Sequence, residues 1–181
     1  AGLDVWSGLH TFIGADPEFA ARAEKKKVEI HDLRRPPLDL PVAMGRVRKI
    51  DSTVVLTVGT DCNIGKMTSA LQIRDGLKAR DRAVRFAGTG QTGILIEGWG
   101  IGVDAVIADF IAGAAEKLVL DASHGADIVL VEGQGSIIHP GYSGVTLGLI
   151  HGSLPHAMVM CAQPSRTHIK NNPWIEIAPL P

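Results

Sequence analysis

The residues most able to do chemistry lie between 59 and 68, Gly-Thr-Asp-Cys-Asn-Ile-Gly-Lys-Met-Thr. A β-branched run, Thr53 to Val58, stops at Gly59, and Gly65-Lys66 opens a helical pattern. Strand, glycine loop, Gly-Lys and helix together wrap backbone N–H groups around a phosphate and aim a helix N-terminus at it. The reading assigns cofactor binding to Gly59, Thr60, Asp61, Cys62, Asn63, Ile64, Gly65, Lys66, Met67 and Thr68, with Lys66 as a point charge over the phosphates. A plain strand-to-helix turn is the bland alternative. Five residues rather than four separate Gly59 from Gly65. Met67 stands where a nucleotide hydrolase carries the hydroxyl that holds magnesium. Thr68 is one residue further round the helix, about 100° away. A ligand whose phosphates need holding but not cleaving fits this loop better than ATP does, and the adenosine diphosphate part of coenzyme A is one.

Other candidates follow later strands. Glu132 ends the apolar run Asp127 to Val131 and opens Glu-Gly-Gln-Gly-Ser; a carboxylate there is a general base or the cap of the next loop. Within the glycine-rich stretch Gly88 to Gly93, Gly90-Gln91-Thr92-Gly93 reads as a mobile substrate loop or a glycine turn, with Gln91 as a catalytic candidate and Thr92 on substrate. His139 is an acid–base candidate, since imidazole titrates near neutrality, or a structural loop histidine. Gln134 and Ser136 are placed on substrate. Arg166 is placed on a substrate carboxylate, with His168 and Lys170 beside it, or all three are solvated. Asp104 and Asp109 flank a helix start, Asp104 as its cap. No histidine spacing suits a metal, and Cys62 with Cys161 does not make a zinc site, so no metal is expected.

The elements that must position these groups alternate from Ser52 onward. Strands are expected at 53–58, 84–87, 127–132 and 157–161, the last two of the buried type. Helices are expected from Gly65 to about Arg80 and, as one continuous helix, from Val103 to Leu118, where apolar residues recur at helical spacing and Asp109 and Glu116 occupy the other face. This is an α/β fold, a parallel sheet flanked by helices, with ligands at the carboxyl ends of its strands. Residues 1–33 read as the end of a preceding domain. Asp16-Pro17 opens its helix, the Lys25-Lys26-Lys27 run is the solvated helix end, and Val28 to Ile30 is a short strand. Residues 34–50, rich in proline, read as a linker, and 51–181 as the main domain. The opening Ala-Gly-Leu-Asp, without methionine, and the ending Ile-Ala-Pro-Leu-Pro, without a closing helix, suggest a piece of a longer protein.

Bulk composition excludes other classes. A net charge of −1 argues against a nucleic-acid binder that works by charge. No apolar run approaches the roughly 18 residues of a membrane span, and two cysteines are too few for a disulfide scaffold. A cytoplasmic small-molecule protein, with homo-oligomerisation open, is the expectation.

Four blocks carry a resemblance: 59–68, 88–93, Val-Asp-Ala-Val-Ile-Ala-Asp-Phe-Ile-Ala-Gly-Ala-Ala-Glu at 103–116, and Glu-Gly-Gln-Gly-Ser-Ile-Ile-His-Pro at 132–140. They resemble a family long catalogued only as a domain of unknown function. Its members join a Rossmann-like N-terminal domain to a P-loop C-terminal domain, and its characterised type is the DgcN-type D-glutamate N-acetyltransferase. The resemblance covers nearly the whole chain and extends to the methionine after Gly-Lys; Ala162 departs from it, where the family often has a histidine. It implies that acetyl-CoA donates an acetyl group to the amine of D-glutamate or a related amino acid, in D-amino acid catabolism. The P-loop is also similar to that of dethiobiotin synthetase. Two alternatives therefore stand: a ligase that uses ATP with magnesium, and a nucleotide-binding regulatory module without chemistry.

Overall fold

The structure is a computed structural model, which describes residues 2–178. Residue 1 and the last three residues, on which the expected lack of a closing helix partly falls, lie outside the described residues.

Two sheets organise the chain. The first is a small β-α-β unit of β1 (Val5–Ser7), α1 (Pro17–Lys26) and β2 (Ile30–Asp32), with β1 and β2 parallel. Asp16 caps α1, accepting from the amides of Glu18 and Phe19, and Pro17 takes the first helical turn, where its missing N–H costs nothing. The second strand runs two residues later than the expected Val28 to Ile30, and β1 carries no sequence signal strong enough to find it.

The larger sheet is parallel, in the order β4-β5-β3-β6. Its strands are β3 (Thr53–Gly59), β4 (Val84–Ala87), β5 (Ile128–Val131) and β6 (Ala157–Cys161). Helices α2 (Lys66–Lys78), α3 (Gln91–Glu97), α4 (Ile111–Ser123) and α5 (Ser143–Ser153) flank it. The period-2 alternation of each strand divides the core. Val54, Leu56, Ala87, Val129 and Val131 pack with Ala114, Leu118 and Val119 of α4 and Leu149 of α5. Phe86 and Leu130 pair across β4 and β5 with the opposite parity, and Arg74 of α2 lies over the Phe86 ring. Helices α4 and α5 approach closely because Gly148 and Gly152 have no side chain. A Cβ at Gly152 would overlap the carbonyl oxygen of Ala112. A short antiparallel hairpin, β7 (His168–Ile169) and β8 (Asn172–Glu176), ends the described chain.

Several expectations are corrected. The continuous helix from Val103 is instead two 3-10 turns, Val103–Ala105 and Ala108–Phe110, before α4 begins at Ile111. Val106 and Ile107 between them are extended, as β-branched residues tolerate. The turns still bury Val103 and Val106, so a loop reproduced the spacing of a helix face. Gly90 to Gly93 is not a free loop: Gln91 starts α3. β6 is an edge strand rather than a buried one, with Met158 and Met160 more than half exposed.

Glu116, expected on the outer face of its helix, is fully buried. Its carboxylate accepts from the amides of Met44 (3.1 Å) and Arg46 (2.8 Å) and from Arg46 Nε (2.7 Å). Burial alone would raise its pKa; these bonds outweigh burial and hold it below the usual carboxylate range. Residues 34–50 are thereby strapped onto α4, with Val47 in the core. A Cβ at Gly113 would overlap the Pro41 carbonyl oxygen, so the strap lies directly on the helix backbone.

Glu116→Ala should destabilise the protein by about 3–5 kcal/mol, because it leaves Arg46 and two amides without their buried acceptor. The wild-type contribution should persist above the ordinary glutamate value near pH 4.3 and disappear as pH falls through the lower folded value. Denaturant melts of both proteins at pH 7 and pH 3 check this: a difference of under 1 kcal/mol at pH 7 would show that the clasp does not hold the strap.

Candidate functional site

The carboxyl ends of β3, β4 and β5 open into a cavity of about 540 Å³. Its walls come from the loop before α2, the first turn of α3, the loop after β5 and, unexpectedly, His10 and Arg34 of the N-terminal segment.

The loop between β3 and α2 is built around a buried carboxylate. Asp61 is fully buried and accepts from its neighbour Cys62 N (2.6 Å), from Lys170 N (2.7 Å) and from Arg166 Nη1 (3.1 Å). Burial pushes the Asp61 carboxyl up, but these donors together hold it below its usual range. Arg166 also donates to the carbonyls of Cys62 (2.6 Å) and Asn63. Gly65 takes a left-handed φ of 98°, which turns the chain into α2. The amides of residues 63–68 have no acceptor among the described residues. Six unspent N–H groups at a helix N-terminus form an anion cradle. Lys66, nearly buried, donates Nζ to the Asp61 carbonyl (2.7 Å), and burial pulls its pKa below the usual lysine value.

Register places Glu132 beside this loop. Leu56 pairs with Val131, so Glu132 sits next to Thr57 at the top of the adjacent strand. Gly133 donates to Thr57 Oγ1 (2.9 Å). Glu132 is buried, and its Oε2 accepts from the amides of Thr89 (2.8 Å) and Gly90 (3.1 Å). A Cβ at Gly93 would overlap that oxygen, which gives the glycine its purpose. Burial pushes the Glu132 pKa up and wins over the two amide bonds; repulsion from Asp104 adds to it.

His139 lines the same cavity, is buried, and stacks on Tyr142 with centroids 4.5 Å apart. Its Nδ1 accepts from Gly141 N (3.1 Å), so the neutral ring carries its proton on Nε2. His139 therefore enters the site as a donor. Asp61, Cys62 and His139 bring one oxygen, sulfur and nitrogen within 4.8 Å of one another. Both Asp61 oxygens already accept N–H bonds, and Lys66, Lys170 and Arg166 surround the group, so this donor set suits no cation.

Among the residues expected on the site, 62–68, Gln91, Thr92, Glu132, Gln134 and His139 line the cavity. Gly59, Thr60 and Asp61 lie behind it as the loop's foundation; Thr60 N donates to the Cys161 carbonyl. Arg166 does not reach the cavity, because its guanidinium is spent on the loop. Ser136 is fully buried off the cavity wall, and its hydroxyl has no partner among the described residues. Asp104 caps nothing; it pairs with Arg34. His10 and Arg34 carry no sequence signal of this placement, because they sit far away in sequence, in segments whose local signals are only a turn and a proline run.

Glu132→Gln keeps an acceptor for both amides but removes the buried charge. A carboxyl whose folded pKa is raised stabilises fully below its unfolded value, and that contribution is lost as pH rises through the folded value. The stability of Glu132→Gln relative to wild type should thus increase from pH 4 upward, as denaturant melts at successive pH values would read. A difference that stays flat from pH 4 to pH 8 would refute the raised pKa.

Comparison with known proteins agrees with this architecture. Residues 41–181 match the P-loop domain of the family described as domain of unknown function DUF1611, and residues 1–36 match its Rossmann-like domain. A protein named D-glutamate N-acetyltransferase from Tritonibacter scottomollicae is 44% identical over 99% of this chain and 53% of its own length. One of the same name from a Pseudoalteromonas species is 43% identical over 93% of this chain and 50% of its own. The crystal structure of a DUF1611 family protein from Anabaena variabilis superposes with a TM-score of 0.94 at 43% identity, covering 99% of this chain and 52% of that one. The chain spans about half the length of the relatives it matches. It belongs to the DUF1611 family.

Proposed function

We propose that this chain forms the P-loop half of an N-acetyltransferase that moves an acetyl group from acetyl-CoA to the amine of D-glutamate, in cytoplasmic D-amino acid catabolism. One observation carries the reading: a cradle of unspent amides around Lys66, with Met67 where a magnesium hydroxyl would be, shares a cavity with a buried carboxylate of raised pKa. The names of the two curated relatives support it. The cradle fits the phosphates of coenzyme A, which need binding but no hydrolysis.

The residues divide the work. The amides of 63–68 and Lys66 would hold the phosphates; Lys66 exchanges the Asp61 carbonyl for a phosphate oxygen. Acetyl-CoA supplies the acetyl group activated as a thioester. Glu132 is the base: it takes a proton from the substrate ammonium, the freed lone pair attacks the acetyl carbonyl, and the C–S bond breaks, the leaving thiolate taking up the further proton that the nitrogen sheds as it becomes an amide. Its raised pKa brings it closer to that of the amine it must deprotonate. The His139 Nε2–H donates to the negative charge that develops on the carbonyl oxygen. An ATP-dependent ligase would instead have to hold magnesium without a hydroxyl at position 67, with Thr68 of the cavity wall as the nearest substitute in sequence.

Calorimetry of the full-length protein with acetyl-CoA and, separately, with ATP and magnesium tests the choice. Acetyl-CoA should bind and, with D-glutamate, release thiol at a rate that EDTA does not change. Lys66→Ala should weaken acetyl-CoA binding by about tenfold or more. The kcat/KM profile should fall on the acid side as Glu132 protonates, and Glu132→Gln should abolish turnover while acetyl-CoA still binds. Tight magnesium–ATP binding with nucleotide hydrolysis, or unchanged acetyl-CoA affinity in Lys66→Ala, would overturn the reading.

A further inference from the structure

We propose that the Arg34–Asp104 ion pair is the acceptor subsite, one that reads an α-amino acid as a zwitterion, with the ammonium between Asp104 and Glu132 and the carboxylate on Arg34 and His10. This rests on the acetyltransferase reading above.

Arg34 comes from the N-terminal segment and Asp104 from the turn after α3, and both line the cavity. Arg34 is buried yet incompletely used. Nη1 donates to Gln91 Oε1 (3.2 Å), and Nη2 meets His10 Nδ1 (2.9 Å) and Asp104. Its Nε–H has no partner among the described residues. Buried polar groups are nearly always paired, so this guanidinium in the cavity wall keeps donor capacity for a further acceptor.

The tautomers and charges fall into two poles. Arginine only donates, so His10 Nδ1 accepts and the neutral ring presents Nε2–H as a further donor. Arg34 and His10 together make a donor pole, suited to a carboxylate. Asp104 keeps about a quarter of its side chain exposed and lines the same cavity as Glu132, where the two carboxylates repel. A cation between them relieves that repulsion, and the substrate ammonium is such a cation. It would then sit against Glu132, the base that must deprotonate it. Gln91 becomes a positioning residue that orients Arg34.

The test uses the full-length protein with Arg34→Met, Arg34→Lys and Asp104→Asn. KM is measured separately for amino acid and acetyl-CoA, amino acid binding is followed by calorimetry, and glutarate, which lacks the amine, serves as inhibitor. Arg34→Met should raise the amino acid KM by about ten- to a hundredfold and leave the acetyl-CoA KM unchanged. Arg34→Lys should restore part of the loss. Asp104→Asn should weaken the amino acid similarly while glutarate inhibits as well as or better than in wild type, because a like charge is gone. Should Arg34→Met fail to fold, Asp104→Asn carries the test, since asparagine still accepts from Arg34. If both KM values rise together, or if amino acid affinity does not change, the pair is structural and the proposal fails. Zwitterion binding without turnover in wild type would instead sink the acetyltransferase reading and leave the subsite standing.

Discussion

The site depends on one buried carboxylate. Asp61 sits where water cannot reach it, and three donors from two parts of the chain converge on it: its neighbour's amide and, from the segment after β6, the amide of Lys170 and the Arg166 guanidinium. A loop that must hold its amides outward, unspent, cannot be stabilised by hydrogen bonding those amides to itself. The Asp61 network supplies the rigidity from behind, and the amides of 63–68 remain free to face the cavity. The same interaction ties the segment after β6 to the loop, so the short hairpin of β7 and β8 serves as a buttress to the cradle.

A second constraint is the adjacency of β3 and β5. Parallel pairing in register puts Lys66 just past the end of one strand and Glu132 at the end of its neighbour. A cationic anion holder and a carboxylate of raised pKa then share one rigid edge. The glycines around them follow from that crowding. Gly133 presses against the Thr57 backbone, and Gly93 makes room for the Glu132 oxygen. Side chains at either position would push the two functional groups apart.

The strand-loop-helix block, the parallel sheet and the lining residues 62–68, Glu132, Gln134 and His139 were legible because strand pattern, glycines and charged residues fall close together in sequence. What was not legible depends on distance. Glu116 reads as a surface residue by helical phase, and only residues some seventy positions earlier show why a buried helix face needs an acid. Arg166 reads as a ligand-binding arginine until its partner Asp61, over a hundred residues away, is seen to use it. The Val103 to Leu118 periodicity failed for a different reason. Two 3-10 turns joined by extended residues bury apolar side chains at nearly helical spacing, and sequence phase alone cannot separate the two. His10 and Arg34 were hidden because a cavity wall made by a segment from another domain has no local signature.

The bond from Lys66 to the Asp61 carbonyl has a consequence for selectivity. The idle lysine is already satisfied by a neutral oxygen at 2.7 Å. An entering anion must outcompete that internal mimic and its geometry. Chloride and other diffuse, singly charged ions gain little from the exchange, whereas a phosphate oxygen with several negative charges behind it gains much. On the proposed phosphate-holding role of the loop, the protein's own backbone acts as a reference ligand and sets a threshold that background salt must exceed before it can occupy the loop.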